Sequence, residues 1–401
     1  MNNHGRLRKN FVLMFWVNAL TEVKVINVIS TVFYIHRGLS LRAIFLTAIV
    51  FALANLLAEV PSSYLADKWG RKKMIIVSIV LSLVYWIINL FAHTEAQFLI
   101  GFAFFGLAFA FMSGTGEALI YDTKVALKEE GESLKSLGQY LSAQRIFKII
   151  TPLIAVLIAS NLTERQYLAV LMIDIVANCL ALLFSFRLTE PKHVMSVEKM
   201  EVGIFKDAFR SVFKDPLVGR LTIERTIILV STFMLWRVQS GYFIQIGTPV
   251  IWLGLATSAY QGISFVMYRK SHQIFKGSLN TALAGLNFSC LLFIGLYWLG
   301  AVFGFSWQVN LLIFCLMAVV EMARAPLYSE LINKSGHGYS RATTLSMSSF
   351  TKSVLDIPLL FIAAWLSGFG YSYIFALAFG ISAVTLVGVR FWNGQFSQRT
   401  V

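Results

Sequence analysis

The chain has 401 residues, 57% of them hydrophobic and only 13% charged, with a formal net charge of +14 and a mean hydropathy of +0.70. A soluble protein of this length needs a polar shell that so few charges cannot build, which excludes an ordinary aqueous globular domain. The basic residues sit in short breaks between apolar runs, so the positive balance points to a membrane surface and not to nucleic acid.

A helix that crosses a bilayer needs about 20 mostly apolar residues. Runs of that kind predict twelve spans, over residues 10–35, 42–66, 74–93, 97–122, 137–160, 166–187, 221–247, 250–269, 279–300, 307–331, 343–367 and 371–392. The opening MNNHGRLRKNF resembles the start of a signal peptide, but the helix behind it carries Glu22 and Lys24 and lacks a small-residue cleavage site. It is therefore read as a mature first span. The longest break follows span six. There Ile204, Phe205, Ala208, Phe209, Val212 and Phe213 fall at helical spacing, which predicts an amphipathic helix lying along the membrane. The expected organisation is an all-α membrane protein: a six-helix bundle over 1–188, a cytoplasmic central loop over 189–220 and a second six-helix bundle over 221–401. Cys179, Cys290 and Cys315 lie in apolar runs without metal-ligand spacing, and the six histidines are scattered, so neither a metal nor a cofactor is expected. No nucleophile–base pair and no phosphate-cradling GxxxxGK[ST] loop is present, which argues against an enzyme and against direct ATP drive.

Lys and Arg set the orientation, because cytoplasmic loops carry the excess of them. With the N-terminus inside, the outer loops hold only Arg37, Arg42 and Arg165, and Lys24, Arg145, Lys148, Arg225, Arg237, Arg324 and Lys352 lie within spans. All the rest of the 34 basic residues fall in inner segments. Both termini are expected in the cytoplasm, in the cell (inner) membrane. The halves show weak internal symmetry. GEALIYDTK at the end of span four (116–124) and ARAPLYSEL at the end of span ten (323–331) align Ala118 and Tyr121 with Ala325 and Tyr328. A span with a Leu-Ser start and a proline, Pro152 or Pro358, follows each. Two pseudo-symmetric six-helix halves are one transporter architecture.

The stretch YLADKWGRKKM (64–74) gathers Asp67, Lys68, Arg71, Lys72 and Lys73 between spans two and three. Together with the twelve-span topology it resembles the major facilitator superfamily, whose loop there runs Gly, three residues, Asp, Arg or Lys, one residue, Gly and two basic residues. Asp67, Lys68, Gly70, Arg71 and Lys72 fit, and Ser63 replaces the first glycine while staying small. The resemblance implies a cytoplasmic gate built from this loop, with Asp122 as the matching acid at the inner end of span four. Physically, Gly70 permits a tight turn, and Asp67 can cap a helix or pair with Arg71. The glycine-rich span-five motif of the drug antiporters in that superfamily is largely missing: Gly138 and Pro152 are in register, but Phe147, Thr151, Ala155 and Val156 occupy other glycine positions.

Ionisable groups inside spans are costly and face a cavity or a partner. Glu321 with Arg324, and Lys352 with Asp356, are spaced to neutralise each other on one helix face. Glu224 and Arg225 lie near the end of span seven, within reach of headgroups. Asp174 stands mid-span without a charged neighbour in sequence. Since the resemblance implies that spans one, four, seven and ten line the substrate cavity with help from five, the cavity candidates are Glu22 and Glu117 as proton carriers. Arg145, Lys148, Arg237 and Arg324 are the candidate substrate-binding residues, Arg offering a planar fork to carboxylate or phosphate. The expected function is a monomeric secondary active transporter that moves a small polar or anionic solute by alternating access, coupled to protons. Export is slightly favoured, because SGTGEALIYDT and EVPSSYLADKWGRKK resemble segments of exporters. The alternatives are an uptake symporter for an organic anion or siderophore, a drug/proton antiporter, and a non-transporting receptor of the same fold.

Overall fold

Where a chain lies in lipid its backbone N–H and C=O groups have no water to bond, and a helix satisfies them within one segment. All regular structure among the described residues is accordingly helical. The computed structural model describes residues 3–129, 133–191, 216–274, 278–335 and 341–397. The helices in order are α1 (Asn3–Thr21), α2 (Ser30–His36), α3 (Leu41–Trp69), α4 (Arg71–Phe91), α5 (Glu95–Met112), α6 (Thr115–Ala126), α7 (Ser133–Ile158), α8 (Glu164–Phe186), α9 (Pro216–Gln245), α10 (Val250–Ile274), α11 (Leu279–Phe303), α12 (Trp307–Ser335), α13 (Arg341–Leu366) and α14 (Tyr371–Ser397). Eleven described segments are long and apolar enough to cross a membrane, and the shorter apolar stretch Val354–Phe369 stands at the place of the eleventh expected span. The amphipathic helix expected around 204–213 lies outside the described residues.

The structure departs from the expected spans at two points. Span one is interrupted: α1 stops at Thr21, a single 3-10 turn covers Val25–Ile29, and α2 resumes at Ser30. Val23, Val25, Ile26, Val28 and Ile29 are β-branched and lose side-chain freedom against a preceding helical turn. Span four is interrupted at Ser113 and Gly114, and Gly114 takes a left-handed φ of 71°, a conformation that glycine adopts without strain.

The chain forms two compact units, Met1–Met200 with Val250–Ser258, and Glu201–Pro249 with Ala259–Val401. In the first, α5 packs against α3 and α4, while α8 packs against α1 and α4. Met14, Val17, Ile75, Ile79, Leu119 and Ile120 form a buried core between these helices. Gly106 lets α5 approach α3 so closely that a β-carbon there would overlap the Phe51 carbonyl oxygen. The start of α10 lies on α7, where Ser258 Oγ donates to the Ile149 carbonyl at 2.7 Å. In the second unit, α9 packs against α12, α13 and α14, and α11 against α12 and α14. Tyr242, Phe243, Tyr297, Phe314 and Phe375 form an aromatic cluster there, with the Tyr297 and Phe375 ring centres 4.6 Å apart.

Candidate functional site

Both helix interruptions of the first unit open onto one cavity of about 310 Å³. The break in span one leaves the N–H groups of Val25 and Ile26 without helical acceptors. The fully buried Asp174 of α8 takes both, at 2.7 and 3.2 Å. Thr21, Glu22 and Lys24, at the break, line the cavity wall. The break in span four puts Glu117 in the first turn of α6, where it lines the same cavity. Asn18 of α1, Ser78 and Ser82 of α4, Phe105 and Phe109 of α5, and Tyr140 and Gln144 of α7 complete the polar and aromatic lining. Gln144 donates to Asn18 Oδ1 at 2.7 Å, and Asn18 donates to the Tyr140 carbonyl at 2.7 Å, so the amides are oriented before any solute arrives.

The charges divide into a satisfied group and an open one. Glu22 accepts from Lys24 through Oε1 at 3.2 Å, and Oε2 faces Lys148 Nζ at 3.4 Å. Lys24 also lies over the Phe105 ring, 5.6 Å from its centre. Glu117 is exposed to the cavity, and no hydrogen bond or ion pair from a described residue engages its carboxylate. Arg145 is half-buried and engaged; it is not among the residues lining the cavity.

The other two expected substrate-binding residues lie in the second unit. Arg237 of α9 stands 3.8 Å from Asp356 of α13, a longer-range partner for Asp356 than the i−4 Lys352, whose side chain lies outside the described residues. Arg324 of α12 is 1% exposed. Its Nη1 donates to Glu321, its Nε to Asn287 Oδ1 at 2.6 Å and its Nη2 to the Tyr328 hydroxyl at 3.2 Å. Glu224, read from the sequence as facing headgroups, is instead buried in the same network, where it accepts from the Asn287 amide. The Asn287 amide donates to Glu224 and its oxygen accepts from Arg324, as the Tyr328 hydroxyl does, so carboxylate and guanidinium both find partners in a dry interior. The pairing of Glu321 with Arg324 follows their i,i+3 spacing.

The loop between α3 and α4 folds as its residues dictate. Gly70 has φ of 98° and is the one residue between the two helices. Asp67 accepts from Arg71 at 2.9 Å, and the Arg71 Nε lies 3.5 Å from Asp122 Oδ2, so one guanidinium joins the ends of α3, α4 and α6. Lys72 donates to the Phe186 carbonyl at 2.8 Å, and Lys68 lies 5.9 Å from the centre of the Tyr64 ring. The Ser63 side chain lies outside the described residues. Glu190, unmarked in the sequence reading, caps α4. Its carboxylate accepts from the backbone N–H of Arg71 at 2.9 Å and of Lys72 at 2.7 Å, and it fills the space a β-carbon on Gly70 would need. An acid directly after a span, in a segment rich in Lys and Arg, is the signal that could have marked it.

Among the described residues no group of His, Cys, Asp and Glu has the arrangement of a metal site. A family profile described as the Major Facilitator Superfamily matches residues 11–355. No curated protein matches the sequence. Solved structures do match in fold. The nucleoside transporter NupG superposes with a TM-score of 0.74 at 12% identity, covering 98% of this chain and 99% of that one. The POT family transporter PepTSo gives 0.69 at 12% identity, over 97% and 98%, and a D-xylose–proton symporter gives 0.65 at 13%, over 95% and 96%.

Proposed function

Because this chain belongs to the major facilitator superfamily, a non-enzymatic class of multi-pass membrane transporters for small molecules, we propose that it is a secondary active transporter of a small polar solute. It works by alternating access of its two six-helix bundles, and it is coupled to protons. The carrying observation is Glu22, held between Lys24 and Lys148 at a break in span one. A proton on Glu22 removes the negative charge that both ammonium groups share. They are then released into the cavity, so a single protonation changes the charge that the solute meets. Glu22 is the proton carrier in this reading. The loop Ser63, Asp67, Lys68, Gly70, Arg71 and Lys72 with Asp122 is the cytoplasmic gate. The protein is a monomer in the cell (inner) membrane with both termini cytoplasmic, and export is the favoured direction. A fold neighbour described as a D-xylose–proton symporter supports coupling by analogy alone.

The test is solute-dependent proton flux in proteoliposomes with the pH indicator pyranine trapped inside. Nucleosides, sugars, amino acids, organic acids and amines are added under a pH gradient of either polarity. Flux with one solute class is expected, and the gradient polarity that drives accumulation gives the direction. Glu22→Gln is expected to lose gradient-driven accumulation while keeping solute exchange at equal pH. Binding of a solute without flux under either polarity favours the non-transporting receptor and ends the transport reading.

A further inference from the structure

We propose that the cavity of the first unit takes a solute bearing a protonated amine on a small aromatic or apolar body, with Glu117 as the group that binds the ammonium. The inference rests on the transporter reading for its setting and on the cavity for its chemistry.

Lys24, which lines the cavity, and Lys148, which does not, are both already occupied by Glu22. Lys24 bonds one oxygen of Glu22 and lies over Phe105, and Lys148 faces the other oxygen. An anionic solute would have to displace that internal carboxylate from both. The second acid of the lining is in the opposite condition. Glu117 lies well inside the span Glu95–Ala126 and is open to the cavity, with no ion pair or hydrogen bond to a described residue. A carboxylate at that depth without a cation is costly, and such residues face a pathway or a partner. A bound ammonium supplies a partner and up to three donors for charge-assisted hydrogen bonds.

The aromatic wall points to the same class. One face of Phe105 is stacked on Tyr85, with ring centres 4.4 Å apart, and Lys24 is over the ring. Phe109 stays 53% exposed and lines the cavity beside Glu117. A cation over a free aromatic face gains a further attraction, and a ring on the solute can stack there. At about 310 Å³ the space is at the small end of ligand pockets, which suits one ring and a short amine arm.

The experiment uses two matched trios that differ only in the charged end: tyramine, tyrosol and 3-(4-hydroxyphenyl)propionate, and phenethylamine, 2-phenylethanol and 3-phenylpropionate. Binding to the full-length protein in nanodiscs is measured by calorimetry at one fixed pH. The amines are expected to bind at least tenfold more tightly than the acids. Glu117→Gln is expected to remove that preference while melting unliganded close to the parent, because its carboxylate has no hydrogen-bond or ion-pair partner among the described residues to lose. Glu117→Asp is expected to retain the preference. Equal binding across the trios, tighter binding of the acids, silence for all six, or an amine preference that survives Glu117→Gln within twofold would each overturn the proposal. The proteoliposome assay separates this result from the transport reading. Flux of acids or neutral solutes without amines leaves the transporter standing and removes the amine site. Amine binding sensitive to Glu117 without any flux leaves the site standing and removes the transporter.

Discussion

Asp174 satisfies two backbone donors that a broken helix would otherwise leave bare in the membrane. Losing a partner for a buried donor costs about 1–3 kcal/mol, so Asp174→Ala is expected to destabilise by roughly 2–6 kcal/mol. Asp174→Asn, which keeps one oxygen acceptor, should lose less; thermal unfolding in detergent gives both values. A second residue sets an acid limit. Hydrogen bonds from Lys124 and Arg8 hold the Glu129 carboxyl below its ordinary value. A lowered carboxyl contributes stability above its unfolded value and loses it as the pH falls through the lowered one. Wild-type melting temperature should therefore drop further between pH ~5 and ~3 than that of Glu129→Gln. What the sequence made legible at this scale was local. The i,i+3 pair Glu321–Arg324 was readable because helix geometry alone brings it together, and the pair Asp67–Arg71 because both stand beside the tight turn at Gly70. The partners of Asp174, Asp356 and Glu224 were not, since each lies on another span and one of them is backbone, which no residue pattern advertises.

Helices were legible wherever lipid demands them, because an unbroken apolar run has no other way to satisfy its backbone. Their interruptions were not. Val and Ile are as acceptable to lipid as Leu, so His4–His36 still reads as one span by mean hydropathy although it holds Glu22, Lys24 and Asn27 and the helix is interrupted there. The second break carried a fair signal in Gly114, flanked by Ser113 and Thr115. Close helix contacts were likewise invisible, since a glycine in a span looks the same whether it faces lipid or a neighbour. Gly106 faces backbone, and a backbone carbonyl cannot rotate aside as a side chain can. Gly106→Leu is therefore expected to cost at least the roughly 1–3 kcal/mol of core overpacking, seen as lower yield of folded protein and a lower melting temperature. Gly285→Leu serves as the control, because nothing stands within 4 Å of its would-be β-carbon.

At the scale of the molecule, the topology was read from the placing of Lys and Arg, and the superfamily from one loop. The chemistry of the solute could not be read that way. The intramembrane charges looked equivalent in sequence, and their spatial partners now distinguish them: Arg324 is enclosed with Glu321, while Glu117 opens onto a cavity. The internal match between Tyr121 and Tyr328 carries the same lesson, since Tyr328 is buried in a hydrogen-bond network and Tyr121 is 53% exposed. The gate makes a prediction for the whole cycle. Arg71 joins three helix ends, through Asp67 and Asp122 directly and through its own N–H to Glu190. Arg71→Gln, which removes the charge contacts to both Asp67 and Asp122, is expected to slow solute-dependent proton flux by about tenfold, equivalent to about 1.4 kcal/mol, with little change in solute affinity. Unchanged flux in that variant would reduce the loop to a membrane anchor.

The carboxylate that closes span one also orders the making of the protein. Val25 and Asp174 are 149 residues apart in the chain. Ribosomes deliver about 5–20 residues per second, so the nascent first span waits for roughly 7–30 s before its acceptor is synthesised. Two bare amides in hydrocarbon cost several kcal/mol each for that whole interval. Until then, the early chain is better served by a continuous helix, or by shelter at the insertion machinery, than by its native shape. The first span to enter the membrane therefore cannot be finished before the sixth is made, and a ribosome stalled before residue 174 leaves a product whose opening segment has not yet become the wall of a cavity.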